Sequence, residues 1–188
     1  MSTLEVNTIN PQSGTTITIG GSGDTVSLGS GATQSGFGGV NTPAFLAYNG
    51  SDQSLSDSVK TLVTCNTEVF DTDSAYNNST YLFTAPSAGK YFFYAFYNLF
   101  SVAVSLYRTQ QWFVKNGSGG YPNDSDRYLR RDAGSYPDFF MGGYCCVVAD
   151  MSASDTMGFH VYGDVGGGSL VVKGGNYFGG YKLITWAY

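Results

Sequence analysis

Carboxylates are the first candidates for chemistry in this chain. Asp71 and Asp73 form one close pair and Asp124 and Asp126 another, and cleavage of a glycosidic bond needs two carboxyls flanking it. Both pairs sit among Asn, Ser and Gly, in 71–79 and 117–126, where Asp tends to bond its own local backbone. Solvated turn residues are therefore the plain reading. Calcium ligation comes second, because loop carboxylates and carbonyls are hard oxygen ligands, and catalysis of polysaccharide hydrolysis comes last. No complete calcium spacing is visible, and no other cofactor is expected.

The remaining reactive side chains are few. His160 is the single histidine, which leaves no multi-histidine metal site, and no G-x-S-x-G motif accompanies it. It is expected as a hydrogen-bonded strand residue sharing a face with Tyr162, opposite Phe159 and Val161. Cys65, Cys145 and Cys146 form neither a disulfide framework nor a zinc spacing, and adjacent cysteines in a strand point to opposite faces. They are expected as unbridged, buried thiols.

Binding groups are better represented than catalytic ones. The long polar segment between Val114 and Phe139 carries Tyr121, Tyr128, Tyr136, Asp124, Asp126, Arg127 and Asp138. Aromatic rings beside carboxylates would suit a surface glycan, and would equally pack on an adjacent subunit. The group Arg127, Arg130 and Arg131 is the one basic cluster, and reads as a solvated loop. With a net charge of −5 and a pI near 4.5, the chain is poorly suited to a phosphate backbone.

These residues need elements to hold them. In 188 residues there are 26 glycines, 15 tyrosines and 13 phenylalanines, with 12% charged residues, a composition that favours turn-rich β structure over helix. No apolar run is long enough for a membrane helix, and the start lacks the charged and apolar regions of a signal peptide. Synthesis in a cytoplasm is the expectation. The key stretch runs from Phe83 to Tyr94. Pro86 cannot donate to a ladder and Gly89 accepts positive φ, so one strand should end near Thr84 and another begin near Lys90. In the second strand Tyr91, Phe93, Ala95 and Tyr97 face one way, and Phe92, Tyr94, Phe96 and Asn98 the other. Both faces are largely apolar, so both must be covered.

The chain divides near residue 40. Residues 1–39 contain one aromatic, Phe37, and read as short strands between glycines: 4–9, 16–19 and 24–28. Val6, Ile9, Ile17, Ile19, Val26 and Leu28 are the apolar positions, and Ile17 and Ile19 recur nine residues on as Val26 and Leu28. Such a segment cannot form a core alone. Either it is disordered in the single chain, or three copies wind into a β stalk or anchor. A Gly-rich link leads to residues 40–188, where nine apolar segments, 43–48, 59–69, 81–84, 91–107, 111–114, 139–149, 156–162, 169–172 and 180–187, predict an antiparallel sandwich of eight to ten strands.

The stretch F-T-x-P-x-x-G-x-Y-x-F, here Phe83 through Phe93, resembles the signature turn of C1q/TNF-like jelly rolls. Pro43–Tyr48 resembles the first strand of that family, Phe70–Tyr76 its opening loop, Asp155–Val161 its penultimate strand pair and Phe178–Ile184 its closing strand. The resemblance covers about three quarters of the chain. It implies an all-β antiparallel jelly roll, a homotrimer and no enzymatic activity. Tyr91, Phe93 and Tyr97, with Tyr181, Leu183 and Trp186, would then form the core and the threefold interface. Some C1q-like heads bind calcium, which keeps that ligand open. The leader 6–28 separately resembles amino-terminal segments of structural proteins of marine tailed bacteriophages, cyanophages among them. Together these imply a virion fibre or spike, anchored to tail or capsid proteins by residues 1–39, with its head facing a host receptor; a capsid decoration protein is the alternative.

Overall fold

A computed structural model of the chain describes residues 7–27, 29–32, 42–102, 106–122, 128–130 and 140–184. The chain separates into two compact units, Met1–Gly38 and Gly39–Tyr188.

Among its described residues the second unit holds fourteen strands and no helix. In chain order they are β1 (Ala44–Tyr48), β2 (Gln53–Leu55), β3 (Thr61–Leu62), β4 (Thr67–Asp71), β5 (Tyr76–Asn77), β6 (Leu82–Thr84), β7 (Gly89–Val102), β8 (Arg108–Lys115), β9 (Ser118–Tyr121), β10 (Tyr128–Arg130), β11 (Phe140–Met151), β12 (Thr156–Asp164), β13 (Ser169–Val172) and β14 (Tyr177–Lys182). They form two seven-stranded antiparallel sheets. One runs β2-β13-β7-β14-β1-β4, with β11 on the other side of β7; the second runs β10-β8-β12-β6-β5, with β3 on β12 and β9 on β8.

Strand alternation explains the sandwich. Tyr91, Phe93, Ala95, Tyr97 and Leu99 of β7 all point inward and are essentially unexposed. From the facing sheet Phe83, Phe113 and Phe159 meet them, and Phe45 and Phe178 arrive from β1 and β14. The rings interlock at centroid distances such as 5.1 Å for Phe45–Phe83 and 5.3 Å for Phe83–Phe93, within the range in which aromatic pairs attract. Tyr97 carries its polar tip into this core and satisfies it on Thr109, hydroxyl to hydroxyl at 2.8 Å. Tyr76 does the same by donating to the Cys65 carbonyl at 2.7 Å.

Several sequence expectations need correcting. The apolar segment 59–69 is two strands, β3 and β4, and 91–107 ends as a strand at Val102. The stretch 117–124, expected as loop, opens with β9. Asn116 and Gly117 take φ of +52° and +70°, which turns β8 into β9 as a two-residue hairpin with Lys115 opposite Ser118.

The first unit departs further. Its described residues contain no strand, although 16–19 and 24–28 were expected as strands. Ile9, Ile17, Ile19 and Val26 are 55%, 40%, 59% and 65% exposed. A single copy offers these segments neither apolar cover nor a neighbouring ladder, so nothing in it rewards strand geometry. Val6 and Leu28 lie outside the described residues.

Candidate functional site

The outer face of the β7 sheet is apolar where an antiparallel sandwich usually meets water. Three long or central strands put it there. β7 turns Phe92, Tyr94, Phe96 and Phe100 outward, because its odd-numbered residues are committed to the core. β14 pairs Tyr177 with Phe96 and Tyr181 with Phe92, so both tyrosines share that face. On the other side β11 sets Phe140 opposite Phe100, Tyr144 opposite Phe96, Cys146 opposite Tyr94 and Val148 opposite Phe92. The rings lie against one another, with centroids 4.7 Å apart for Phe96–Tyr144, 4.6 Å for Phe100–Phe140 and 5.5 Å for Phe92–Tyr181.

The face is ridged and grooved. Tyr144 stands 74% exposed on β11, with Phe140 at 58% and Val148 at 50%. Beside them an apolar groove of about 410 Å³ is lined by Leu46, Tyr48, Val69, Tyr94, Gly175 and Tyr177. Tyr94 and Tyr177 divide it from a second, about 290 Å³, which reaches Tyr144 and Cys146. Gly179 makes room for this surface, since a Cβ there would stand 2.6 Å from the Tyr94 ring. Partial burial pushes the Tyr94 and Tyr177 phenols above their ordinary range, with neighbouring tyrosines adding to the shift. Both stay neutral at physiological pH. Charges occupy the rim, where Lys90 meets Asp150 at 2.7 Å and Lys173 pairs with Asp52.

The expected interface residues divide by strand parity. Tyr91, Phe93 and Tyr97, expected at the core and threefold contact, are wholly core and present no surface to a neighbour. Tyr181 is on the outer face, and Leu183 is half-buried just past β14, its amide bonded to the Lys90 carbonyl at 2.8 Å. Trp186 lies outside the described residues. The outward set Phe92, Tyr94, Phe96, Tyr144 and Tyr177 was missed, because a strand apolar on both faces does not say which face is inside.

The other candidates are occupied locally. Asp71 accepts from the amides of Ala75 and Tyr76 at 3.1 and 2.8 Å, so its carboxylate closes the turn beside exposed Asp73. Tyr121, expected in a receptor-binding loop, packs partly buried against the core and accepts from the Asp150 amide at 3.1 Å. Asp124, Asp126, Arg127 and Tyr136 lie outside the described residues; Tyr128 begins β10 opposite Gln110. His160 stands on the outer face of the second sheet, across from Trp112. Among the described residues its Nδ1 is buried without a partner, while the ring keeps a hydrogen bond with the Gly158 backbone. Burial and the nearby Lys60 ammonium push its pKa down to about 4. Of the thiols Cys65 is buried, Cys145 partly so and Cys146 exposed; the expectation of burial fails for Cys146 because it falls on the outward parity of β11.

Comparison with known proteins fixes the fold. No protein-family model matches the chain, and no curated protein does. Among solved structures, the globular domain of zebrafish complement 1qA protein superposes with a TM-score of 0.52 at 14% identity, over 77% of this chain and 98% of that one. The fold is a C1q-like jelly roll. The Eiger TNF of S. frugiperda is also similar, with a TM-score of 0.49 at 11% identity, over 77% of this chain and 94% of that one. At these identities the likeness concerns the jelly roll alone, and function rests on the surface this chain builds on it.

Proposed function

We propose that this protein is a non-enzymatic structural subunit of a phage virion, a homotrimeric fibre or spike. Its jelly-roll head would face the host, and its leader would join the head to the other proteins of the particle. The observation that carries the reading is the outward aromatic face. A patch built from Phe92, Tyr94, Phe96, Tyr144 and Tyr177 is the kind of exposed apolar surface that marks an association site. Each aromatic side chain can bury about 150–250 Å², at about 25 cal/mol for each Å² removed from water. The Tyr144 ridge and the Leu46–Tyr177 groove lie at different places on one face, so the contact is ridge of one copy to groove of the next. Head-to-tail contacts of this kind close into rings when the rotation permits. The virion assignment is supported by the leader's resemblance alone. Three heads would present three copies of any weak receptor site, so avidity replaces single-site affinity.

Light scattering on the purified chain tests the trimer. A mass of three chains is expected, and Phe96→Arg, which places a charge amid the rings without touching the core, should release folded monomers with unchanged circular dichroism. A wild-type monomer at micromolar concentration would overturn the trimer. Cryo-electron microscopy of particles tests the assignment: density on the tail marks a fibre, density across the shell marks a decoration protein, and absence from particles removes the virion role.

A further inference from the structure

The leader has the turns of a folded β structure without its partners. Gly14, Gly23 and Gly31 take φ of +73°, +90° and +81°, and Gly20 between the first two takes +83°. A Cβ at Gly14, Gly23 or Gly31 would meet nothing within 4 Å, so conformation rather than space calls for glycine there. Two of the turns are closed by hydrogen bonds, from the Asp24 amide to the Gly21 carbonyl at 3.1 Å and from the Ala32 amide to the Gly29 carbonyl at 3.0 Å. Asp24 reinforces its turn by accepting from the Gly21 amide at 2.6 Å. Among the described residues these are the backbone bonds of this unit, and they leave 16–19 and 25–27 without ladder partners. Those two segments alternate, Thr16-Ile17-Thr18-Ile19 and Thr25-Val26-Ser27, with the apolar members exposed. Glu5 and Asp24 are the only charged residues before position 40, so identical copies can lie side by side with little repulsion.

We propose that residues 7–27 and 29–32 pair with the same residues of two further copies of this chain, forming a three-stranded stalk. Ile17, Ile19 and Val26 face its axis, the Thr and Ser between them face solvent, and the glycine turns divide it into layers. The inference rests on the trimeric head, which holds three leaders at high effective concentration and so supplies the partners a single copy lacks. The occupant is this chain itself because two exposed alternating segments lie in a stretch with almost no charge, so identical copies meet without repulsion.

Hydrogen exchange on the full-length protein, read by mass spectrometry alongside its mass in solution, decides the matter. Amides of 16–19 and 25–27 should exchange about 100-fold slower than in an unstructured chain. Ile17→Asp with Ile19→Asp should abolish that protection while the mass stays at three chains. Thr16→Asp with Thr18→Asp should retain it. A three-chain protein whose leader exchanges at the unstructured rate overturns the stalk and leaves the head trimer standing. Equal loss in both variant pairs overturns the inward placement of Ile17 and Ile19. Protection that appears only after another virion protein is added assigns the leader to that protein and overturns self-pairing. A monomer overturns trimer and stalk together.

Discussion

Single side chains set distinct pH windows for this jelly roll. His160 is held neutral, its pKa pushed down to about 4 from 6.5 by burial and by Lys60. The unfolded chain therefore takes up a proton that the native chain refuses between pH 6.5 and 4. Stability should be complete above that window and fall as pH drops through it. Asp155 works lower. Its carboxylate meets Lys115 at 2.8 Å and accepts from Asn116 Nδ2 and the Ser152 amide, each at 2.7 Å, which pull its pKa to about 2 from 3.8. Its contribution is present above pH 3.8 and lost as pH falls towards 2. Denaturant midpoints measured from pH 7 to 2 should show both slopes, with His160→Gln flattening only the upper and Asp155→Asn only the lower. A His160→Gln protein that keeps the upper slope would show that another group titrates there.

Among the elements, β14 is closely confined. It runs between β7 and β1, and at Gly180 a Cβ would stand 2.6 Å from Phe93 Cδ1 and 2.9 Å from the Phe92 carbonyl oxygen. Gly180→Ala should cost about 1–3 kcal/mol by overpacking, read as a lower urea midpoint with unchanged slope; an unaltered midpoint would mean the sheet yields at that point. Much of this element plan was legible beforehand. Pro86 and Gly89 placed the start of β7, and the Phe83–Phe93 turn pointed to the jelly roll. The inside of β7 was not legible, because Tyr91, Phe93 and Tyr97 differ little in character from Phe92, Tyr94 and Phe96. Only the facing Phe83, Phe113 and Phe159, distant in sequence, settle which set is core. The β8–β9 hairpin was signalled by Asn116-Gly117, a pair suited to a two-residue turn, but the glycine-rich run after it masked the second strand. The leader fails for a different reason: alternation records what a segment can bury, and one copy has nothing to bury it against.

At the scale of the whole molecule, two thiols report on assembly. Cys65 is buried and its pKa is pushed up to about 12, so it should resist maleimide until the chain unfolds. Cys146 lies on the aromatic face beside Tyr94 and Tyr144 and should be covered in a trimer. Labelling of Cys146 should run on the order of tenfold faster or more in the Phe96→Arg monomer than in the wild type. Equal rates in the two proteins would place the contact elsewhere on the head.

Among the described strands, β11 shares a ladder with β7 alone, along its whole twelve-residue length, while on its other edge side chains of Gln111, Lys115 and Tyr121 hold the Tyr144 carbonyl and the Asp150 carbonyl and amide. A single subunit of the proposed trimer would therefore carry a partly open template as well as a greasy ridge, the combination that seeds edge-to-edge aggregation. Yield on refolding then becomes a race whose finish depends on chain supply: too dilute, and subunits wait unpartnered with the template bare; too crowded, and they join in the wrong register. Steady synthesis that holds the chain at intermediate concentration would meet the favourable middle of that range, whereas a bench preparation has to be steered into it.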